Sequence, residues 1–247
     1  MSNIFSIFNK KVLVTGGTGD IGFSISKGLA DAGARVSVFG RKKNKRSFKE
    51  INYFKVDLTC KEAVNKCFKE FIKMSGGIDI LVNIAGITIE GHSKDYLMEN
   101  WQKTIDINLS AAFYLIQKVA NEMISRKIKG SIINITSISA MLGFPNNPAY
   151  VASKGGLSQL TKALACDFGK YGIRVNNIGP GYIKTKMTEK SWNNLRERKK
   201  RRDNTILGRW GKPDDLVGPV IFLASEGSGY ITGQDIYVDG GWTAKGI

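Results

Sequence analysis

Tyr150 and Lys154, in the stretch Tyr150-Val151-Ala152-Ser153-Lys154, are the residues whose types and spacing point most directly to chemistry. Residues four apart share one face of a helix, so the ammonium is placed beside the phenol ring. A free tyrosine has a pKa near ~10 and is a poor acid or base at neutral pH. A fixed cation beside it favours the phenolate and lowers that pKa. The pair is therefore a candidate proton-transfer device for interconverting a carbonyl and an alcohol. The same spacing also occurs on helix faces that do no chemistry, so the rest of the chain has to decide.

The elements that would position this pair alternate along the chain. Lys11–Val14 reads as a buried strand ending in a Gly-rich turn, and Ile21–Ala32 as a helix stopped by Gly33. Strands are expected at 36–39, near 53–56, at 78–82, 131–135 and 173–178, and at 235–238. Helices are expected over 61–73, 100–126 as one long helix, 148–169, and from Pro213 to about Ala224. Residues 181–209 read as polar, basic and irregular. Such alternation predicts an α/β fold: one Rossmann-like, doubly wound, mostly parallel sheet with helices on both faces, forming a single domain over residues 1–247. Ligands of such sheets bind beyond the carboxyl ends of the strands, at the switch point of strand order.

The turn Thr15-Gly16-Gly17-Thr18-Gly19-Asp20-Ile21-Gly22 joins the first strand to the first helix. Its glycines permit close approach of a pyrophosphate, and the helix N-terminus offers free N–H groups to the anion. The spacing is not Gly-x-Gly-x-x-Gly, and no Lys-Ser/Thr follows as in a nucleotide-hydrolysing loop.

Bulk properties exclude several classes. No apolar run spans a bilayer, and residues 1–8 lack a secretory core, so a cytoplasmic protein without a membrane partner is expected. Cys60, Cys67 and Cys166 lack metal-ligand spacing and are expected as buried free thiols. With His92 the single histidine, no metal site is expected, nor a Ser-His-Asp triad. The formal charge of +16 is concentrated. Residues 41–49 hold Arg41, Lys42, Lys43, Lys45, Arg46 and Lys49 with no acid, and 196–202 hold Arg196, Arg198, Lys199, Lys200, Arg201 and Arg202 against Glu197. Two such clusters suit specific anionic contacts or two solvated faces.

Residues 15–22, set against the pattern Thr-Gly-x-x-x-Gly-x-Gly, together with Tyr-x-x-x-Lys at 150–154, resemble the short-chain dehydrogenase/reductase family. Further likenesses follow in order: Asp57 after Lys55-Val56, Asn83-Ile84-Ala85-Gly86, Asn108 in Ile107-Asn108-Leu109, Ser137 in Ile135-Thr136-Ser137, and Gly179-Pro180-Gly181 followed by Thr185. Tyr230–Gln234 and Val238–Gly241 resemble the family's closing strand. Ile84 departs from it, standing where many members carry a second Asn. So does the short connection from Arg41 to Tyr53, which leaves room for little or no helix.

The resemblance implies roles. Tyr150 is the general acid/base, Lys154 lowers its pKa and binds the nicotinamide ribose, Ser137 holds the substrate oxygen, and Asn108 positions a water in a proton relay. The cofactor would be held by Thr15, Gly16, Thr18, Asp20, Ile21, Gly22, Arg41, Asp57, Leu58, Asn83, Ala85, Gly86, Tyr150, Lys154, Pro180, Gly181, Ile183 and Thr185. Residues 181–209 would form a substrate lid, and the two long helices a homotetramer contact.

Gly40, Arg41 and Lys42 stand where NAD binders carry an acid, so NADP(H) is expected over NAD(H), although Arg41 stacked on adenine would suit either. The substrate expected is a secondary alcohol or ketone, anionic or polyhydroxylated: a sugar, sugar acid, sugar phosphate or nucleotide-linked sugar. Trp192, Trp210 and Trp242 are candidate stacking surfaces for a sugar ring or packing residues. A 3-oxoacyl-carrier-protein reductase docking an acidic carrier is the alternative. A cofactor sensor without turnover, or a nucleic-acid binder suggested by charge alone, are readings of another class; no nucleic-acid motif is present, so no specific nucleic-acid partner is expected.

Overall fold

The computed structural model describes residues 3–41 and 51–245. The basic residues Lys42, Lys43, Lys45, Arg46 and Lys49 thus lie outside the described residues, as does most of the short connection. Seven parallel strands form one sheet: β1 (Lys11–Thr15), β2 (Arg35–Gly40), β3 (Asn52–Lys55), β4 (Ile80–Asn83), β5 (Ser131–Ile135), β6 (Arg174–Pro180) and β7 (Asp235–Val238). Their order is β3-β2-β1-β4-β5-β6-β7, so the winding reverses between β1 and β4.

Period-two alternation sorts the strand side chains to two cores. Leu13, Leu81, Ile132 and Val175 point to one face, against α2 (Lys61–Ser75), α4 (Ala111–Ser125) and α5 (Pro148–Gly169). Val12, Val14, Ile80, Val82 and Ile133 point to the other, against α1 (Asp20–Asp31) and α8 (Val217–Ala224). Pro148 opens α5 at a position that needs no N–H, and Gly76 closes α2 with φ +69°.

Three expectations need correction. The helix expected over 100–126 is α3 (Met98–Ile105) and α4, separated by a π turn at Asp106–Ser110. That turn holds the buried Asn108, whose side chain engages the backbone of Ile87 on a different element. Residues 181–209 are largely helical, with α6 (Glu189–Asn193) and α7 (Leu195–Asp203). α7 is polar all round and so lacks an apolar period; Asn194 caps it by accepting from Glu197 N at 3.1 Å, and basic residues fill its last turn. The thiols of Cys60 and Cys166 are exposed and that of Cys67 is half-buried.

One feature of the sheet is polar. Thr15, Asn83, Asn134, Asn177 and Asp235 lie in register across β1, β4, β5, β6 and β7. Asn83 Nδ2 donates to Asn134 Oδ1 at 3.0 Å, and Asn134 Nδ2 to Thr161 Oγ1 of α5 at 2.9 Å. Thr161 Oγ1 donates to Asn177 Oδ1 at 2.7 Å, and Asn177 Nδ2 to Asp235 Oδ1 at 2.9 Å. Leaving a buried partner unsatisfied costs about 1–3 kcal/mol. Asn134→Ala strands the Asn83 amide, and should lower unfolding free energy by about 2–4 kcal/mol. Equilibrium urea unfolding checks this; an unchanged midpoint would show that the row carries no stability.

Candidate active site

A cavity of about 420 Å³ opens at the carboxyl ends of the strands, where their order reverses. The first turn contributes Gly16, Asp20, Ile21 and Gly22 to its wall, and the turn after β4 contributes Ala85 and Gly86. Ser137 enters after β5, Tyr150 and Lys154 from α5, and Pro180, Gly181, Ile183 and Thr185 after β6.

The first turn is shaped as a cradle. Gly16 has φ +66°, and a Cβ there would stand 2.9 Å from the Ala85 backbone. A Cβ on Gly22 would stand 2.2 Å from Gly16 O. Gly19 is the N-cap of α1 and supplies no side-chain cap, and Gly19, Asp20, Ile21 and Gly22 line the cavity. An uncapped helix N-terminus of this shape fits the pyrophosphate of a dinucleotide. The match to Thr-Gly-x-x-x-Gly-x-Gly is nevertheless incomplete: the glycine expected before Ile21 is Asp20, with Gly19 one residue earlier. Asp20 Oδ2 accepts from Lys186 N at 2.7 Å, tying the cradle to the segment after β6.

The four expected catalytic residues converge, with different surroundings from those expected. Lys154 is 4 % exposed, and its Nζ donates to Ile135 O at 2.6 Å and lies 5.8 Å from the centre of the Tyr150 ring. Burial pulls its pKa down to about 8. The Tyr150 phenol is pushed up by burial, against an opposing hydrogen bond with Ser137, so the expected lowering by Lys154 is not what this arrangement gives. Ser137 Oγ also accepts from Ser139 N at 3.1 Å.

Asn108 is 1 % exposed. Its Oδ1 accepts from Ile87 N at 2.8 Å, and its Nδ2 donates to Ile87 O at 2.9 Å and Ser153 Oγ at 3.0 Å. Both amide hydrogens are thus engaged by protein, leaving one lone pair of Oδ1 towards Gly86 and Lys154.

Several expected cofactor residues stand away from the cavity wall. Thr15 is buried, and its Oγ1 accepts from Ile84 N at 3.0 Å and Ala85 N at 3.2 Å, which shapes the turn after β4. Asn83 belongs to the polar row, and Leu58 is part of the core. Thr18 lies beside Gly40 at the end of β2, and Arg41 follows, exposed. Asp57 accepts from Thr59 N at 3.0 Å and Thr59 Oγ1 at 2.7 Å, which hold its carboxyl below the ordinary range.

The structure adds residues that the sequence did not single out. Thr88 and Asn147 hydrogen-bond each other on the cavity wall, bracing the loop before α5. Glu90, Phe144 and Tyr182 also line it. None of Trp192, Trp210 and Trp242 reaches the wall; they pack instead. Tyr182 has its ring centre 5.4 Å from Trp210 and 5.0 Å from Trp242, and Trp192 lies 5.3 Å from Trp210. Cations of the basic helix sit on these rings, Arg198 over Trp192 and Arg201 over Tyr182. Arg201 lines the cavity; the other five cations of 196–202 do not. No pattern in the sequence separates it from its neighbours, since α7 has no apolar face.

Among the described residues no helix is long and apolar enough to cross a membrane. The family described as Enoyl-(Acyl carrier protein) reductase matches residues 17–243. The chain is 37 % identical to a 2-dehydro-3-deoxy-D-gluconate 5-dehydrogenase of Bacillus subtilis (strain 168), covering 99 % of both chains. It is 36 % identical to a 3-oxoacyl-(acyl-carrier-protein) reductase of Chlamydia trachomatis serovar D, covering 95 % of this chain and 98 % of the relative. A gluconate 5-dehydrogenase from Burkholderia cenocepacia J2315, solved in complex with NADP and tartrate, superposes with a TM-score of 0.94 at 34 % identity, over 98 % of each chain. Cradle, tyrosine–lysine helix and full-length likeness agree: the chain belongs to the short-chain dehydrogenase/reductase family, as an oxidoreductase acting on CH–OH donors.

Proposed function

We propose that the protein interconverts a secondary alcohol and a ketone on a sugar acid, using NADP(H), with Tyr150 as general acid/base. The observation that carries the reading is the convergence of Ser137, Tyr150 and Lys154 on one cavity that the uncapped N-terminus of α1 also lines. The sugar-acid substrate is supported by relatives named for gluconate and 2-dehydro-3-deoxygluconate. The residues that would hold the dinucleotide are the first-turn N–H groups at its pyrophosphate, Arg41 at its ribose end, and Lys154, Pro180, Gly181, Ile183 and Thr185 at its nicotinamide end. When bound, the nicotinamide supplies or accepts the hydride.

The chain's own residues handle the proton. Ser137 donates to the substrate oxygen and holds it beside the Tyr150 hydroxyl. A phenol whose pKa is raised stays protonated at neutral pH and is ready to donate as the carbonyl is reduced. Lys154 supplies positive charge as the phenolate forms, and a pKa of about 8 lets it exchange its own proton near neutrality. Asn108 fixes Ile87 and the π turn and so sets the floor under Lys154. Residues 181–209 act as the lid, hinged where Lys186 meets Asp20. NADP(H) is favoured over NAD(H) because Arg41 follows β2 where an acid would serve a free ribose hydroxyl. Phe113 on α4 and Tyr230 beside β7 stay exposed, which suits burial between copies in a cytoplasmic homotetramer.

A spectrophotometric panel tests the reading: gluconate-type acids and neutral polyols with NADP⁺, and a 3-oxoacyl thioester with NADPH. Turnover of the thioester alone would replace the sugar-acid assignment with a carrier-linked reductase. Tyr150→Phe should retain NADPH binding and lose at least about a hundredfold in kcat, the usual scale of a general acid; near-normal turnover would remove Tyr150 from its role. NADPH should bind more tightly than NADH by fluorescence titration, and equal dissociation constants would defeat the preference.

Burial of Lys154 also has a stability signature. Its folded pKa lies below the unfolded value of 10.5, so the penalty for burying the ammonium is fully present below about pH 8. It is relieved as pH rises from about 8 towards 10.5. Relative to wild type, Lys154→Met should therefore gain most in urea midpoint below pH 8 and lose that advantage above it. A pH-independent difference would contradict the buried charge.

A further inference from the structure

The proton chemistry proposed above makes no use of the basic stretch 196–202, yet the fold turns one of its cations inward. The guanidinium carbon of Arg201 stands 4.3 Å over the centre of the Tyr182 ring. Its Nη2 lies 3.1 Å from Glu197 Oε2, one helical turn earlier, and its side chain is 21 % exposed. Arg196, Lys199, Lys200 and Arg202 of the same stretch are exposed. Tyr182 is itself wedged against Trp210 and Trp242, so the guanidinium rests on a fixed platform. Tyr150, Tyr182 and Arg201 line the same cavity. Lys186, a lid cation outside that stretch, also lines it, and its backbone N–H meets Asp20.

We propose that Arg201 is the receptor for a substrate carboxylate, and that its pairing with Glu197 restricts this subsite to a single negative charge. The inference rests on the oxidoreductase reading and names the substrate class for it. A guanidinium carries five N–H donors in a planar fork, and Glu197 engages one edge of it. The remaining donors meet a carboxylate with charge-assisted bonds, and the fork matches its two oxygens. Stacking on Tyr182 has already restricted the arginine rotamers, so less conformational freedom is lost when the anion arrives.

The pairing with Glu197 sets the limit on charge. Glu197 is paired directly with Arg201, whereas Glu90, which also lines the cavity, is paired with Lys190 at 3.4 Å. One cation already partly neutralised by an acid favours a monoanion and opposes the second charge of a phosphate ester. Of the substrates open on sequence grounds, a polyhydroxylated monocarboxylate is therefore selected over a sugar phosphate or a nucleotide-linked sugar.

The test is calorimetric binding to protein saturated with NADPH, with D-gluconate as the carboxylate and sorbitol as the neutral polyol of equal carbon number. Arg201→Gln should weaken gluconate binding by about tenfold or more, the scale of a charged hydrogen-bonded contact, and leave sorbitol unchanged. Glu197→Gln should tighten gluconate, because a competing negative charge is removed and only a neutral acceptor remains. Arg196→Gln deletes the same charge from the outer side of α7 and should change neither ligand. The inference is overturned if gluconate binds Arg201→Gln as it binds wild type, if Arg196→Gln weakens it equally, or if gluconate and sorbitol weaken together. Turnover of neutral polyols with no gluconate binding would overturn the carboxylate receptor and leave the oxidoreductase reading standing. Arginine-dependent gluconate binding with no nicotinamide-linked turnover of any alcohol would do the reverse.

Discussion

The site depends on strand register, and the register is held by a directed chain of buried hydrogen bonds. From Asn83 to Asp235 each side chain donates to the next, and the chain ends on a carboxylate that also accepts from Ser158. Such a chain polarises along its length and tolerates no slip, because a one-residue shift turns every member to the opposite face. Thr161 carries it through α5, so the helix that presents Tyr150 and Lys154 is fixed to the same row as the strands. The apolar rows further down the sheet give burial without a preferred partner. The polar row supplies the specificity, one pleat below the cavity.

Above that row the cavity is built from groups held under tension between stability and chemistry. Lys154 is buried beside a carbonyl, at the cost of a depressed pKa. Asn108 satisfies both backbone groups of Ile87 by widening a helix into a π turn. Asp20 places a carboxylate where a pyrophosphate is expected, and in return secures the segment after β6. In each case a local rule is broken at a position proposed for function and the neighbouring elements compensate.

How far this was legible in the sequence follows the range of the interactions. The alternation of strands and helices was readable because apolar periodicity is local; β5, α5 and β7 match their expected limits because Pro148 and the short apolar runs mark them. The residues proposed for proton transfer stood out because tyrosine and lysine at helical spacing, with a glycine turn far upstream, form an ordered pattern, and the structure brings them to one cavity. The row of Asn134, Thr161, Asn177 and Asp235 was not, since its members become neighbours only when strands far apart in sequence are paired in parallel. The π turn was hidden for the same reason: its cause is Ile87, well before it in the chain. Helix α7 was missed because a strongly polar helix leaves no period to detect, and α6 because five residues are too few to show one. Lys154 stands beside the Tyr150 ring as its spacing implied, but burial, which the sequence did not reveal, raises the phenol pKa against the Ser137 hydrogen bond.

The composition of α7 also fixes how the protein answers to ionic strength. Arg196, Lys199 and Lys200 are exposed like charges on one short helix, whereas Arg198 and Arg201 are seated on Trp192 and Tyr182. Mobile ions screen exposed charges over about 10 Å at 0.1 M salt and reach shielded contacts far less. Added salt therefore relieves the repulsion along the outer side of the helix while leaving its inner contacts in place. The exposed pair of Arg202 with Asp203 answers in the opposite sense, so salt loosens that end of the helix while it relieves the like charges along the outer side.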